Sequence, residues 1–238
     1  MVYSYIGARL QNRIVFRELS NFGRERTVTF GISSGDFISP TIALEPKREV
    51  VFWSQGQNVY VSSFHKGLEN GEKVSRKLIA DSTVLSSQMV SQISSKSGEA
   101  LEIKAMAYDQ ENDWLYVMLV TPYPSIGDFS FFSSSVRRSI IRVSRVRANG
   151  EDHKVLNIKV VRGEVFSSLV ICEGKISFFF AQDLGSSGFS SFFLSQSELS
   201  QLVKTDIDPD TGSSKDSRFQ ARNLPIAQQE MDSKCCKF

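Results

Sequence analysis

The sequence predicts an all-β fold, and three observations support that prediction. Short runs of β-branched and aromatic residues recur along the chain, separated by Gly, Ser and Asn. No long segment keeps the apolar period of a helix. Hydrophobic residues make up 41% of the 238 residues and include 18 phenylalanines, which is enough apolar surface for a sizeable core. The length allows one large domain or two small ones.

Six runs are predicted to be strands because each is short, β-prone and bounded by turn-forming residues. In chain order they span residues 13–17, 49–53, 58–61, 114–118, 140–143 and 175–180. Two segments carry a weaker helical signal. Leu85, Met89 and Ile93 are spaced four residues apart, as on one face of a short helix, although the segment is rich in Ser. Residues 197–203 are interpreted as one or two further helical turns.

A unit of strands separated by turns repeats along the chain. Residues 40–46 lead into residues 51–54, then into residues 57–61, and then into a turn at Gly67. The same order recurs over residues 104–150 and, more weakly, over residues 168–194, and an earlier portion matches at residues 12–23. The period is roughly 45 to 65 residues. Four-stranded units repeated radially at such periods are typical of a β-propeller.

The repeated residues resemble the YWTD propellers of the low-density lipoprotein receptor family. A blade of that family carries Ile-Ala-Leu-Asp-Pro, then Leu-Tyr-Trp-Thr-Asp, then a closing Leu-Asp-Gly. The matching positions are Ile42, Ala43, Leu44, Pro46, Phe52, Trp53 and Gly67 in one unit and Ala107, Asp109, Leu115 and Tyr116 in the next. In the first unit Gln55 stands where the family has Asp. In that family the Asp ties one blade to the next by a hydrogen bond.

The resemblance implies a six-bladed β-propeller, of which residues 3–205 would form an incomplete part. Six blades of about 42 residues need roughly 250 residues, so this chain has material for about four. We therefore expect a fragment of a larger protein, whose open blade edges would promote self-association. Residues 206–238 are polar and are expected to form a disordered C-terminal tail.

Two settings for the chain remain open at this point. The resemblance implies an extracellular receptor ectodomain. Taken as complete, the chain instead predicts a cytoplasmic protein, because it shows no signal peptide, no transmembrane run and no disulfide framework among Cys172, Cys235 and Cys236. Residues 235–238 have the spacing of a prenylation box, but Lys237 fits it poorly, so an unmodified terminus is favoured.

The candidate ligand contacts lie in and after the longest irregular insertion, residues 121–139. They are Phe129, Phe131, Phe132, Arg137 and Arg138. Long loops on rigid scaffolds often carry recognition. The alternative interpretation is that the three phenylalanines fold back over a neighbouring blade. The arginines that continue to Arg147 are predicted to form a basic strand. Three interpretations of this strand are open: its arginines are solvated, they contact an acidic protein partner, or they bind single-stranded nucleic acid. Nucleic acid is the least favoured of the three.

Catalytic and metal-binding signals are weak. The three carboxylates of residues 206–210 have a spacing that calcium loops use, but an acidic turn is the simpler interpretation. His65 and His153 each lie near a predicted turn, with no Cys or Asp partner close in sequence. No phosphate-binding glycine loop or nucleophile elbow is present, and no cofactor or metal is predicted. A net charge of +2 does not indicate a polyanion partner.

These observations predict a non-catalytic propeller module that binds a protein ligand, as part of a receptor-type ectodomain. The first alternative is a metal-dependent hydrolase of the six-bladed lactonase or esterase kind, with Asp109, Asn112 and Asp113 as its candidate ligands. The second alternative is an intracellular scaffold propeller.

Overall fold

The structure is a computed structural model that describes residues 2–7, 11–17, 25–31, 41–63, 76–81, 84–85, 102–122, 138–183 and 200–219. The first three ranges are described for their backbone only. Fourteen strands form three antiparallel sheets, and residues 84–85 are the only helical positions within these ranges. The all-β prediction is confirmed, and each of the six predicted runs lies in a strand or overlaps one.

The first sheet has three strands in chain order. They are β1 (Val2–Gly7), β2 (Gln11–Arg17) and β3 (Glu25–Gly31). In the antiparallel register, Val15 lies opposite Tyr3 on one side and opposite Thr27 on the other.

The second sheet has four strands, and the first three lie within the best repeat, residues 40–67. It runs in the order β4 (Ile42–Glu45), β5 (Val50–Gln55), β6 (Asn58–Ser63) and β7 (Lys77–Ala80). Phe52 pairs with Ala43 on one side and with Val61 on the other. Residues 51–55 are all buried, so β5 is covered on both faces, which explains its unbroken apolar run.

Trp53 fills the centre of this four-stranded sheet. It is fully buried, its Nε1 donates a hydrogen bond to Ser62 Oγ at 3.1 Å, and its ring stacks on Tyr60 with the centroids 4.9 Å apart. Gln55 Oε1 accepts a hydrogen bond from Arg76 Nη1 at 3.0 Å. Gln55 is therefore bonded to the residue that immediately precedes β7.

The third sheet has seven strands whose order in the sheet follows their order in the chain. They are β8 (Glu102–Asp109), β9 (Trp114–Pro122), β10 (Arg138–Arg147), β11 (Lys154–Cys172), β12 (Lys175–Asp183), β13 (Ser200–Ile207) and β14 (Ser214–Phe219). Cys172 pairs with Lys175 across a two-residue turn, and both turn residues, Glu173 and Gly174, have positive φ. The register of β11 against β12 shifts between Val165 and Leu169.

This continuous sheet differs from the separate four-stranded units that the weaker repeats predicted for residues 104–205. The physical reason is β11, a 19-residue strand that pairs with β12 over residues 163–172 and also neighbours β10. Residues 200–203 belong to β13 rather than to the predicted helical turns, because Val203 pairs with Phe180 of β12. The predicted helix beginning at Leu85 is helical at residues 84–85, and its remainder lies outside the described residues.

The boundary of the predicted tail is corrected by the last hairpin. Residue 206 lies within β13, and β14 pairs with β13 from Ser214 opposite Ile207 to Phe219 opposite Leu202. Asp208 Oδ1 accepts hydrogen bonds from the backbone N–H groups of Asp210 and Thr211, which fixes the turn between the two strands. Only residues 220–238 of the predicted tail lie outside the described residues.

The chain forms two compact units. The first comprises residues 1–94, 105–117 and 145–154, and the second comprises residues 95–104, 118–144 and 155–238. Fully buried side chains of the first include Phe52, Trp53, Leu115, Val117 and Val146, and those of the second include Met118, Ile140, Val143, Phe178 and Ile207. Within the described part of the chain, no helix has the length and apolar character needed to cross a bilayer.

Candidate binding site around Trp114

The candidate site centres on Trp114, the first residue of β9. Arg145 and Arg147 are two positions apart on β10, so both side chains leave the same face of that strand, and β10 neighbours β9 in the sheet. Arg145 Cζ lies 4.3 Å and Arg147 Cζ lies 3.8 Å from the centroid of the Trp114 ring. Trp114 and both arginines are half-buried. We call these three residues the Trp114 stack.

The turn before β9 holds this tryptophan in place. Asp109 Oδ1 accepts hydrogen bonds from the backbone N–H groups of Glu111 and Asn112, at 2.9 and 3.3 Å. Such a side-chain cap is why Asp is favoured at this turn position. The carbonyl oxygen of Asn112 accepts a hydrogen bond from Arg147 Nη1 at 2.6 Å, so the turn also orients the arginine.

Asp113 links the turn to the strand pair β4–β5. It adopts φ 57°, and its Oδ1 accepts hydrogen bonds from Arg48 Nη1 at 2.9 Å and from the Tyr108 hydroxyl. The Tyr108 ring stacks on Phe52, with the centroids 5.1 Å apart. Burial opposes ionisation of Asp113, but the two hydrogen bonds outweigh it and lower the pKa of the carboxyl. Burial and the bond to Asp113 raise the pKa of the Tyr108 hydroxyl, which stays protonated.

The site combines cations with an accessible aromatic ring. The Arg48 side chain is 55% exposed and that of Arg147 is 36% exposed, and Arg147 Nε lies 3.7 Å from Asp152 Oδ2. Tryptophan and arginine are the residue types that most often dominate protein interfaces. A guanidinium held over a ring presents its edge, where it can donate two parallel hydrogen bonds to one carboxylate. This arrangement suits a binding surface.

The structure describes one of the five predicted ligand contacts. Arg138 is exposed at the first position of β10. Phe129, Phe131, Phe132 and Arg137 lie outside the described residues. The basic strand itself is not the uniformly solvated one that its charge predicted. Arg142 is completely buried, and Arg145 and Arg147 are stacked on an aromatic ring.

Sequence reasoning did not identify Trp114 as part of a site. A signal was present, because arginines at alternate positions of a strand share a face and the preceding predicted strand begins with the tryptophan. Trp114 meets the two arginines only in the register at which β9 lies beside β10, and the sequence alone does not give that register.

The residues proposed as metal ligands of a hydrolase or of a calcium loop form hydrogen bonds or ion pairs with the backbone or with other side chains. Asp109 and Asp113 are engaged in the turn as described above. Asp206 Oδ1 accepts a hydrogen bond from Ser177 Oγ at 2.6 Å and pairs with Lys204 at 2.9 Å. In the ranges that the structure covers, no group of three or more His, Cys, Asp or Glu side chains is placed to hold a metal ion.

The remaining candidates separate as follows. His65 and Gly67 lie outside the described residues, and His153 is half-buried just before β11. Cys172, at the end of β11, is disulfide-bonded. This bond differs from the sequence prediction, which expected no disulfide framework; Cys235 and Cys236 lie outside the described residues.

No protein-family model matches the chain, and no curated protein matches it. Among solved structures, it is similar to hydrazine synthase of Kuenenia stuttgartiensis, with 11% identity, 89% of this chain and 60% of that chain covered, and a TM-score of 0.40. It is also similar to a mutant of the Synechocystis apocarotenoid oxygenase, with 14% identity, 91% of this chain and 46% of that chain covered, and a TM-score of 0.36. A third similar structure is the WD40 domain of SCAP from fission yeast, with 7% identity, 92% of this chain and 49% of that chain covered, and a TM-score of 0.28. The chain spans about half the length of these proteins. Similarity at this level indicates no function.

Proposed function

We propose that this chain is a non-catalytic module that binds a protein ligand through the surface around Trp114. The observation that carries the proposal is the Trp114 stack, in which two guanidinium groups lie over one half-buried ring. Each such contact stabilises the stack by about 0.5–1 kcal/mol at an exposed position. The stack is therefore ordered before a ligand arrives, which reduces the entropy lost on binding.

The scaffold of this module is proposed to be an incomplete β-propeller of the YWTD kind, with about four blades. The four-stranded sheet β4–β7 supports the proposal, because it is an antiparallel meander whose strand β5 is buried on both faces. Blades that pack face to face require this double burial. Trp53, which matches the family's blade motif, is the central buried residue of the sheet.

The setting of this module is proposed to be extracellular, within a larger receptor-type protein, as the resemblance to the YWTD propellers implies. The intracellular scaffold is the alternative.

The ligand is proposed to present carboxylates. Arg48 and Arg147 are the exposed cations of the site, and a fork of guanidinium donors matches the geometry of a carboxylate. The acidic residues nearby are already bonded, Asp113 to Arg48 and Tyr108. A protein segment with Asp or Glu beside an apolar residue would accept further hydrogen bonds from these two guanidinium groups and cover the exposed part of the ring.

The test uses Trp114 as its own reporter. Trp53→Phe leaves Trp114 as the only tryptophan, since the chain has two. Its emission is followed during titration with paired synthetic peptides that carry Glu and Asp, or Gln and Asn, at the same positions. We expect the acidic peptides to bind more tightly, to weaken with added salt, and to lose about tenfold in affinity with Arg147→Ala.

Arg162→Ala is the matched control, because Arg162 is exposed on β11 and is not one of the arginines of the stack. It should leave the affinity unchanged. Equal binding of acidic and amide peptides, or equal losses with Arg147→Ala and Arg162→Ala, would contradict the proposal.

A further inference from the structure

One face of β11 exposes a row of five side chains in the second compact unit. Residues 158, 160, 162, 164 and 166 are all exposed, whereas the residues between them are buried or half-buried. Alternate residues of a strand point to the same side of the sheet, so these side chains form one row about 26 Å long. We call it the β11 row. Its members are Ile158, Val160, Arg162, Glu164 and Phe166.

The β11 row is apolar towards both of its ends. Ile158 is 37% exposed, Val160 is 52% exposed and Phe166 is 38% exposed. They are three of the five large apolar side chains that are exposed within the described ranges. Single exposed apolar residues are common on protein surfaces, but several on one face of one strand are typical of an interaction site. The row therefore indicates a surface that another protein covers.

Arg162 and Glu164 carry opposite charges at the centre of the β11 row. Neither forms an ion pair with a charged group in the part of the chain that the structure describes. Their Cα atoms are about 7 Å apart along the strand. A partner that presents Glu and Arg in the reverse order would pair with both charges at once.

We propose that the β11 row is a contact surface for a second copy of this chain. A twofold axis perpendicular to the row at residue 163 places Arg162 of each copy opposite Glu164 of the other. The same axis places Val160 of each copy opposite Phe166 of the other. A closed dimer with one patch on both subunits requires such self-complementarity.

The two charges also fix the register of this contact. An axis moved by one residue in either direction would bring Arg162 opposite Arg162 of the second copy, or Glu164 opposite its Glu164. Like charges in direct contact repel each other, so both of these registers are disfavoured. The row therefore favours one arrangement of the two copies over its neighbours.

The dimer formed by this row is expected to be transient. A contact along one strand is smaller than a standard interface, which buries about 800 Å² per partner. We expect a dissociation constant of about 0.1–1 mM, so that the row contributes little to association at micromolar concentration. The contact is therefore to be measured at high protein concentration.

Sedimentation equilibrium of the full-length protein from about 20 μM to 1 mM measures the dimer. Every protein in the series carries Leu78→Lys, which opposes pairing through the edge strand β7. Arg162→Glu and Glu164→Arg should each weaken the dimer by about tenfold, because each brings two pairs of like charges into contact. Combining the two reversals restores opposite charges and should recover the dissociation constant of the Leu78→Lys parent.

A mixture of the two single variants supplies a second measurement. One copy then presents two acidic side chains and the other presents two basic ones, so both central pairs are attractive. The heterodimer should therefore be tighter than either homodimer, and it should weaken with added salt.

Arg138→Glu is the matched control, since it makes the same change of charge at an exposed arginine of β10. It should leave the dissociation constant unchanged. A monomer at every concentration would leave the row to a different protein and overturn the proposal. Equal weakening by Arg138→Glu and Arg162→Glu, or a double reversal no tighter than the single ones, would contradict the twofold contact.

Discussion

Trp53 and Trp114 are the two tryptophans of the chain, and their environments differ. Trp53 is fully buried and donates its N–H to Ser62. Trp114 is half-buried, and the Cζ atoms of two arginines lie within 4.3 Å of its ring centroid. The first side chain stabilises a sheet, whereas the second leaves part of a large ring accessible to a ligand.

Trp53→Ala should destabilise the protein by about 3–5 kcal/mol, because it leaves a cavity and removes the stacking on Tyr60. Trp53→Phe keeps most of the ring and should cost about 1–2 kcal/mol, since it chiefly leaves Ser62 Oγ without its donor. Urea unfolding followed by circular dichroism measures both. A loss below about 1 kcal/mol for Trp53→Ala would show that the position is not a packing centre.

Asp113→Asn should reduce stability at neutral pH and make no difference in strong acid. The bonds from Tyr108 and Arg48 lower the pKa of Asp113 below its usual value of 3.8, so the carboxylate contributes stability above that value. The contribution is lost as the pH falls through the lower pKa of the folded state. Asparagine tolerates the positive φ at this position, which isolates the effect of charge.

Thermal unfolding of wild type and Asp113→Asn between neutral pH and strong acid measures this difference. Asp152→Asn is the control, because the Asp152 side chain is 71% exposed and lies 3.7 Å from Arg147. Such an exposed pair should change stability little at any pH. A gap between wild type and Asp113→Asn that stayed constant into strong acid would exclude the carboxylate as its cause.

Single residues were predictable where the apolar pattern alone decides their position. Trp53 lies in an apolar run with turns on both sides, so its burial followed from the sequence. A solvated strand was one of the three settings predicted for the arginines that include Arg142, and arginine is in general rarely buried. The position of Arg142 depends on β10 being covered on both faces, which is a property of the assembled sheet.

Gly212, in the β13–β14 turn, allows a close approach of two elements. Its φ is +73°, and a Cβ at this position would collide with the carbonyl oxygen of Leu156 on β11. Gly174 has nearly the same φ, +72°, with no atom within 4 Å of its Cβ position. Substitutions at the two glycines therefore distinguish the cost of backbone strain from the cost of a steric collision.

Gly174→Ala should cost about 1–2 kcal/mol, the penalty for a left-handed alanine. Gly212→Ala should add about 1–3 kcal/mol to that penalty, because the backbone of β11 must move. Chemical denaturation of the two variants in parallel gives the difference. Equal losses would mean that the hairpin does not lie against Leu156.

Elements were predictable from sequence when they are apolar. β5, β9 and β12 contain apolar runs bounded by turns and were identified in this way. The polar strand β14 was assigned to a tail because its sequence carries no apolar alternation. It exists through backbone pairing with β13 and through Lys159, which donates hydrogen bonds to Asp216 and Thr205. These contacts are distant in sequence, so composition does not reveal them.

At the scale of the whole molecule, the described strands leave sheet edges, which can pair with a second chain. We predict that the isolated chain self-associates at micromolar concentration. The edge strand β14 is polar and charged, whereas the edge strand β7 carries Leu78 at 47% exposure. Leu78→Lys should therefore reduce association, because a charge on an edge strand opposes pairing.

Phe166→Lys is the control, since Phe166 is exposed on an interior strand, β11. Light scattering after gel filtration measures the mass of each variant. A wild-type monomer of 26.7 kDa would contradict the open-edged propeller. Equal reductions with both lysine variants would show that exposed apolar surface, and not strand pairing, drives the association.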